Sequence, residues 1–138
     1  MIHLGPGSSL PAWLEALEKA AFGSAWGALE DHEQIWLIEG KAYARWSLVA
    51  PIGEAELLRI AVAPEARSQG LGRNLLRGSL EALRTLGVTH CRLEVRFSNA
   101  PARSLYESEG WQFQGIRKGY YRDGEDAALY GKILSPIR

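Results

Sequence analysis

Cysteine is nearly missing from the sequence: Cys91 is the only one in 138 residues. An intramolecular disulfide and a metal cage of thiolates alone are therefore excluded, which fits a reducing compartment. An excess of one charge is missing too. Lys plus Arg and Asp plus Glu each number 16, so the whole-molecule field exerts no general pull on nucleic acid or an anionic membrane. No stretch approaches the roughly 20 consecutive apolar residues of a membrane helix, and Met1 to Pro6 lacks the basic and apolar regions of a signal peptide. His3, His32 and His90 do not stand at metal-ligand spacing, and no metal is predicted. Repeats, charge runs and linkers are absent as well. These absences predict a soluble cytoplasmic protein with no direct nucleic-acid or membrane partner. What is present, 46% hydrophobic and 23% charged residues, predicts one globular domain over residues 1–138.

The periodicities read as alternating elements. Ile2 to Leu4 is a candidate edge strand, broken by Gly5, Pro6 and Gly7, with Ser8 or Ser9 as a helix cap. Leu10, Trp13, Leu14, Leu17 and Ala21 recur at helical spacing, with Glu15, Glu18 and Lys19 on other faces, up to Gly23. A short second helix is expected from Trp26 to Asp31. Strands follow at Ile35 to Ile38, Ala42 to Ala50 and Ala55 to Val62. Leu71, Leu75, Leu76, Leu80, Leu83 and Leu86 make the stripe of a helix over Gly70 to Leu86, and Gly87 ends it. Val88 to Val95 alternates, with Cys91, Leu93 and Val95 on one face and Arg92 and Glu94 on the other. Asn99 caps a helix running to Glu109, and strands at Trp111 to Arg117 and Ala127 to Ile133 flank a turn at Arg122 to Glu125. The sum is a mixed α/β sheet covered by helices, with a parallel strand-helix-strand crossover in its middle.

The entry into the long helix is the most informative stretch. Gly70 and Gly72 remove side-chain bulk where amide hydrogens and the positive helix end can surround a pyrophosphate, and Arg67 or Arg73 can add charge. A tight turn alone also accounts for the glycines. A triphosphatase loop needs Lys and then Ser or Thr after its last glycine, whereas Arg73 and Asn74 follow Gly72. A dinucleotide fingerprint needs a third glycine earlier than Gly78.

Arg67, Gly70 and Gly72 match the coenzyme A loop of the Gcn5-related N-acetyltransferase (GNAT) superfamily. The likeness continues through Leu93, Glu94, Val95 and Arg96, through Ser98 to Glu107, and on to Gly110, Trp111, Tyr120 and Tyr121. Over about Glu54 to Leu134 the chain resembles the ribosomal-protein-alanine N-acetyltransferase branch. The resemblance implies a mostly antiparallel sheet with a splayed central parallel pair and flanking helices. Between the splayed strands a pantetheine arm would pair with backbone around Ile60, Ala61 and Val62. The diphosphate of acetyl coenzyme A (acetyl-CoA) would lie on Arg67, Ser68, Gln69, Gly70, Leu71 and Gly72, with Arg73, Asn74 and Asn99 nearby, and coenzyme A would leave as product. Glu94 carries over as the group that deprotonates the amine and Tyr106 as the acid.

Each of these residues also has a structural reading. Glu94 suits an ion pair with Arg92 or Arg96, Tyr106 suits the edge of a helix, and Asn99 suits a cap. Tyr120 and Tyr121 suit either an acceptor groove near Arg117 and Lys118 or a terminal hairpin. Trp13, Trp26, Trp36 and Trp46 are expected in the core or along the acceptor side. Cys91 falls on the apolar strand face, which favours direct transfer over an acetyl-enzyme. An α-amine, with a pKa of about 7.7–8.0, is easier to use at pH 7 than a lysine at about 10.4. The expected activity is acetylation of a protein N-terminus, with a ribosomal protein as acceptor, by a monomer or weak homodimer. A small-amine acetyltransferase and a silent acyl-CoA-binding module are the alternatives. The sequence departs from the branch at Phe22 to Trp26, where the family's Phe-Pro-Trp-Ser is not reproduced, and at Arg122, where proline is common.

Overall fold

The computed structural model describes residues 1–136. Strands β1 (Ile2–Leu4), β2 (Glu33–Ile38), β3 (Ala42–Val49), β4 (Glu54–Val62), β5 (His90–Arg96), β6 (Gln112–Arg117) and β7 (Ala127–Ile133) form one sheet in the order β1-β2-β3-β4-β5-β7-β6. Every neighbouring pair is antiparallel except β4 and β5. Helix α1 (Ala12–Phe22) covers one face, where Leu14 and Leu17 pack with Ile35, Leu37, Tyr43 and Ala61. Helices α2 (Leu71–Thr85) and α3 (Ala100–Ser108) cover the other, where Leu75, Leu76, Leu83 and Tyr106 pack with Trp36, Ala44, Trp46 and Leu57. Alternate residues of β2 and β3 thus enter two separate cores, which is why Ala42 to Trp46 is buried without a break. Among the described residues no helix is long and apolar enough to cross a membrane.

Two irregularities place the site. In β4 the register slips so that Arg45 faces Arg59 and Trp46 faces Leu57, which leaves Leu58 as an extra residue. This bulge reverses the alternation: Leu57 and Ile60 both point into the α2 core, while Arg59 and Ala61 take the α1 face. Beyond it β4 and β5 separate. Their pairing runs only from Glu54 opposite His90 to Leu57 opposite Leu93. β5 stays bonded to β7 as far as Arg96, and β4 to β3 as far as Val62, so the two ladders diverge and open a gap between them. The splayed parallel pair expected from the sequence is present.

The start of the chain differs from the sequence reading. Pro11, not Ser8 or Ser9, occupies the N-cap of α1, with no side-chain cap. Gly23 ends the helix as expected, at φ 84° with its amide on Lys19 O. Glu18, placed on an outer face by periodicity, is fully buried. It accepts from Arg45 at 3.2 Å, and Arg45 also donates to Glu33 at 2.9 Å. Burial works to raise the Glu33 carboxyl, but the Glu30 amide and Arg45 overcome it and hold the pKa below its usual value. This network replaces the helix expected at Trp26 to Asp31. Trp26 N donates to Glu18 at 2.6 Å, and Arg45 bonds the carbonyls of Gly27 and Ala28 at 2.9 and 3.0 Å. Side chains satisfy the backbone that a helix would have satisfied. Trp26 is 43% exposed rather than in the core.

Burial pushes the hydroxyls of both Tyr43 and Tyr106 well above the usual phenol value of 10. The folded state therefore holds these protons more tightly than the unfolded chain, so their contribution is intact below pH 10 and is lost as pH rises further. Thermal midpoints recorded against pH should be flat through pH 9 on this account. Above pH 10 they should fall, as the unfolding free energy drops with a slope approaching about 1.4 kcal/mol per pH unit for each tyrosine.

Candidate active site

On the α2 side of the gap, the turn into the helix is built from two left-handed residues. Ser68 at φ 65° is the only non-glycine with positive φ among the described residues, and Gly70 follows at φ 75°. Such turns line up successive amides into a concave donor row. Asn74 N makes the first bond inside the helix, to Gly70 O at 3.0 Å. The amides of Leu71, Gly72 and Arg73 therefore project from the positive end of α2. Gly70 is needed for its backbone angle. Gly72 is not needed by the protein's own packing, since a Cβ there would meet Val62 Cγ2 at an ordinary 3.6 Å. The missing side chain leaves room there for a close approach from outside the chain.

The charged residues around this turn divide. Arg67, Ser68, Gln69 and Asn74 are exposed, and Arg67 Nε donates to Val62 O at 3.2 Å, at the edge of the gap. Arg73, expected near a phosphate, is engaged elsewhere: it donates to Ser108 Oγ at 3.0 Å and to Glu109 at 2.6 Å. Arg77 joins it on Glu109 at 2.5 Å. The Arg77 bonds, opposed by burial and aided by Arg73, hold the Glu109 carboxyl below its ordinary range. Arg73 thus ties α2 to the end of α3. Asn99 caps α3 by accepting from Ala102 N at 3.2 Å.

Tyr106 projects from α3 into the same side of the sheet. Its ring lies 6.0 Å from Trp111 and 6.2 Å from Tyr130, and the residue is 5% exposed. Burial first, and then Tyr121, raise its hydroxyl. Glu94 in turn contributes to the raised hydroxyl of Tyr121, after burial and Tyr120. Tyr121 therefore lies within electrostatic reach of both residues singled out from the sequence.

Glu94 lies on the other face, beside a cavity of about 470 Å³ lined by Glu56, Arg92, Glu94, Gln114, Arg117 and Tyr120, among others. Its partner is Arg117 at 3.2 Å, not Arg92 or Arg96. Arg92 turns to Glu56 at 3.5 Å, and Arg96 to Asp123 and Glu125 at 2.8 and 2.9 Å. A hydrogen bond to Glu94, followed by burial, raises the Tyr120 hydroxyl. Tyr120 thus faces the groove, while Tyr121 carries Arg96 over its ring at 4.2 Å. Glu56 and Gln114 were not anticipated as site residues. The alternation of Glu54, Ala55, Glu56 and Leu57 is a local signal that puts both glutamates on one face, but nothing local puts that face beside Glu94.

Cys91 is buried, and burial pushes its thiol up to about 12 despite an opposing effect of Lys132. Thiolate is then negligible at neutral pH.

A model of the acetyltransferase (GNAT) family matches residues 6–111. The chain belongs to the GNAT family. The ribosomal protein bS18-alanine N-acetyltransferase of Escherichia coli is 46% identical over 80 residues, 56% of this chain and 54% of that protein. The N-alpha-acetyltransferase of Saccharolobus solfataricus is 37% identical over 84 residues, 60% of this chain and 50% of that protein. The matched stretch spans about half the length of these curated relatives. The crystal structure of the ribosomal-protein-S18-alanine N-acetyltransferase from Escherichia coli aligns with a TM-score of 0.78 at 34% identity, over 95% of this chain and 94% of that one. The mixed sheet, the parallel pair and the flanking helices are the GNAT fold.

Proposed function

We propose that this GNAT chain is a single-domain cytoplasmic N-terminal acetyltransferase. It moves the acetyl group of acetyl-CoA to the α-amine of a protein, with the N-terminal alanine of a ribosomal protein as acceptor. The observation that carries this reading is the gap between β4 and β5. It has a donor-rich turn on the α2 side and a cavity holding Glu94 on the opposite face. Two reactants can therefore reach one point from opposite sides of the sheet. The amides of residues 71–73 and the exposed Arg67 suit a diphosphate. The open edge of Ile60, Ala61 and Val62 suits the amide groups of a pantetheine arm. Acetyl-CoA supplies an activated thioester carbonyl.

The residues of the chain then divide the work. An unpaired amide at the gap polarises the carbonyl oxygen. Glu94, oriented by Arg117, receives the proton of the acceptor ammonium directly or through a water, so that the nitrogen attacks as a neutral amine. Tyr106 offers its O–H to the sulfur as the carbon–sulfur bond breaks, and the second proton that the nitrogen sheds on becoming an amide passes through water to the thiolate, so that coenzyme A leaves as the thiol. Cys91, buried and protonated, forms no acetyl-enzyme, so transfer is direct. The closely similar bS18-alanine acetyltransferases support the choice of acceptor. Mass spectrometry of peptides and ribosomal proteins treated with acetyl-CoA tests it. The reading predicts a 42 Da increment on the N-terminal residue, and exclusive lysine or small-amine acetylation overturns it.

Gly72→Ala separates a coenzyme loop from a mere turn. Added bulk meets only Val62, at an ordinary distance, and alanine favours a helix over glycine. The thermal midpoint should stay the same or rise slightly, while the affinity for coenzyme A in calorimetry falls about tenfold. An unchanged affinity would place the diphosphate elsewhere.

A further inference from the structure

We infer that Glu56 is a specificity residue of the acceptor site, binding a second positive charge carried by the acceptor close to its reacting amine. This rests on the proposed acetyltransferase reading and names its substrate more narrowly. Glu56 and Glu94 line one cavity. Glu56 stands opposite Arg92 in the parallel ladder, and Glu94 is two residues further along β5 on the same face. Strand geometry then separates their Cα atoms by about 8 Å. Two carboxylates at that spacing match an amine followed, within one or two residues of extended chain, by a cationic side chain.

Glu56 has the capacity to take this role because the protein satisfies it poorly. Buried Glu33 accepts from Arg45 at 2.9 Å, and Glu109 is gripped at 2.5 and 2.6 Å. Among the described residues Glu56 has only Arg92, at 3.5 Å, from a side chain that is 68% exposed. That contact exceeds the normal range of a charge-assisted hydrogen bond. Its charge nevertheless reaches the site, contributing to the raised hydroxyl of Tyr120 after Glu94 and burial and against the opposing effect of Arg117. A second cavity of about 200 Å³, sharing Glu56, Arg92 and Gln114 with the first, carries the groove on to Glu54 and Ser47. An acceptor with its amine at Glu94 can therefore continue past Glu56 along an open path. In this arrangement Arg92 is a competitor that the acceptor's cation displaces.

The test compares N-terminal alanine peptides carrying Lys or Gln at the second or third position, in the wild type, Glu56→Gln and Arg92→Gln. The wild type should favour a Lys peptide by about five- to tenfold in kcat/KM, through KM. Glu56→Gln should reduce that preference to within twofold. Arg92→Gln should lower KM for the Lys peptide. A purely structural Glu56–Arg92 pair predicts that both substitutions act in the same direction, so the opposite signs are decisive. Equal wild-type rates on Lys and Gln peptides, or a preference that survives Glu56→Gln, overturn the inference. Free diamines in a parallel arm separate it from the broader reading. Rapid diamine turnover that depends on Glu56, with no peptide turnover, supports the cation site and sinks the N-terminal acetyltransferase.

Discussion

Glu94→Gln should lower kcat at pH 7 by about 10²- to 10³-fold, within the range of a lost general base, and leave acetyl-CoA binding unchanged. Glutamine keeps the shape of the side chain and a partner for Arg117, which sits 3.2 Å from the carboxylate, but it cannot take a proton. At pH 7 an α-amine of pKa about 7.8 is neutral in only about 15% of molecules. The carboxylate both attracts the remaining ammonium and removes its proton. The deficit should therefore narrow by about sevenfold between pH 7 and pH 9, where the acceptor arrives neutral. Rates measured at saturating acetyl-CoA across that range check this. A deficit independent of pH would leave Glu94 as a binding group, and full activity would remove it from the reaction. Because Glu94 lies on the face opposite the α2 turn, calorimetric affinity for coenzyme A should be untouched.

The legible part of the site was local in sequence. Gly70 announces a left-handed turn, the leucines of α2 announce its buried face, and Cys91, Leu93 and Val95 alternate with Arg92 and Glu94 as a half-buried strand must. What was not legible depended on residues far apart in the chain. Glu18 reads as a surface glutamate until Arg45, 27 positions away, is found beneath it. The same pair removes the expected helix at Trp26 to Asp31 by bonding its backbone. Arg73 reads as a phosphate ligand because it follows the glycines, but Glu109, 36 positions on, holds it. The family resemblance identified Glu94 without identifying its partner, since Arg117 comes from an outer strand rather than from a sequence neighbour. The bulge at Leu58 is the subtlest case. One extra residue in β4 turns Glu56 and Arg59 to the same face, and strict alternation cannot predict that.

Tyr106→Phe tests the departure of the thiol and should lower kcat by about 30- to 100-fold. A single transition-state donor contributes up to about 10²–10³, and sulfur, a weaker acceptor than oxygen, places this one at the low end. Phenylalanine retains the contacts with Trp111 and Tyr130, so the fold and the coenzyme affinity should be preserved. Burial drives the hydroxyl above its usual value of 10, whereas an ordinary thiol titrates near 8.5. Full transfer of the phenolic proton to the thiolate therefore runs uphill. Tyr106 acts as a neutral donor that shares its proton with the departing sulfur and retains it once coenzyme A leaves. Two consequences separate this role from packing alone. The wild-type rate should show no loss from tyrosine ionisation up to pH 10, and the deficit of Tyr106→Phe should shrink for thioesters of more acidic thiols, whose thiolates need less stabilisation as they leave. Retention of kcat within threefold by the phenylalanine variant would reduce Tyr106 to a core residue and reassign the donor to another group at the gap, with Tyr121 the first to test.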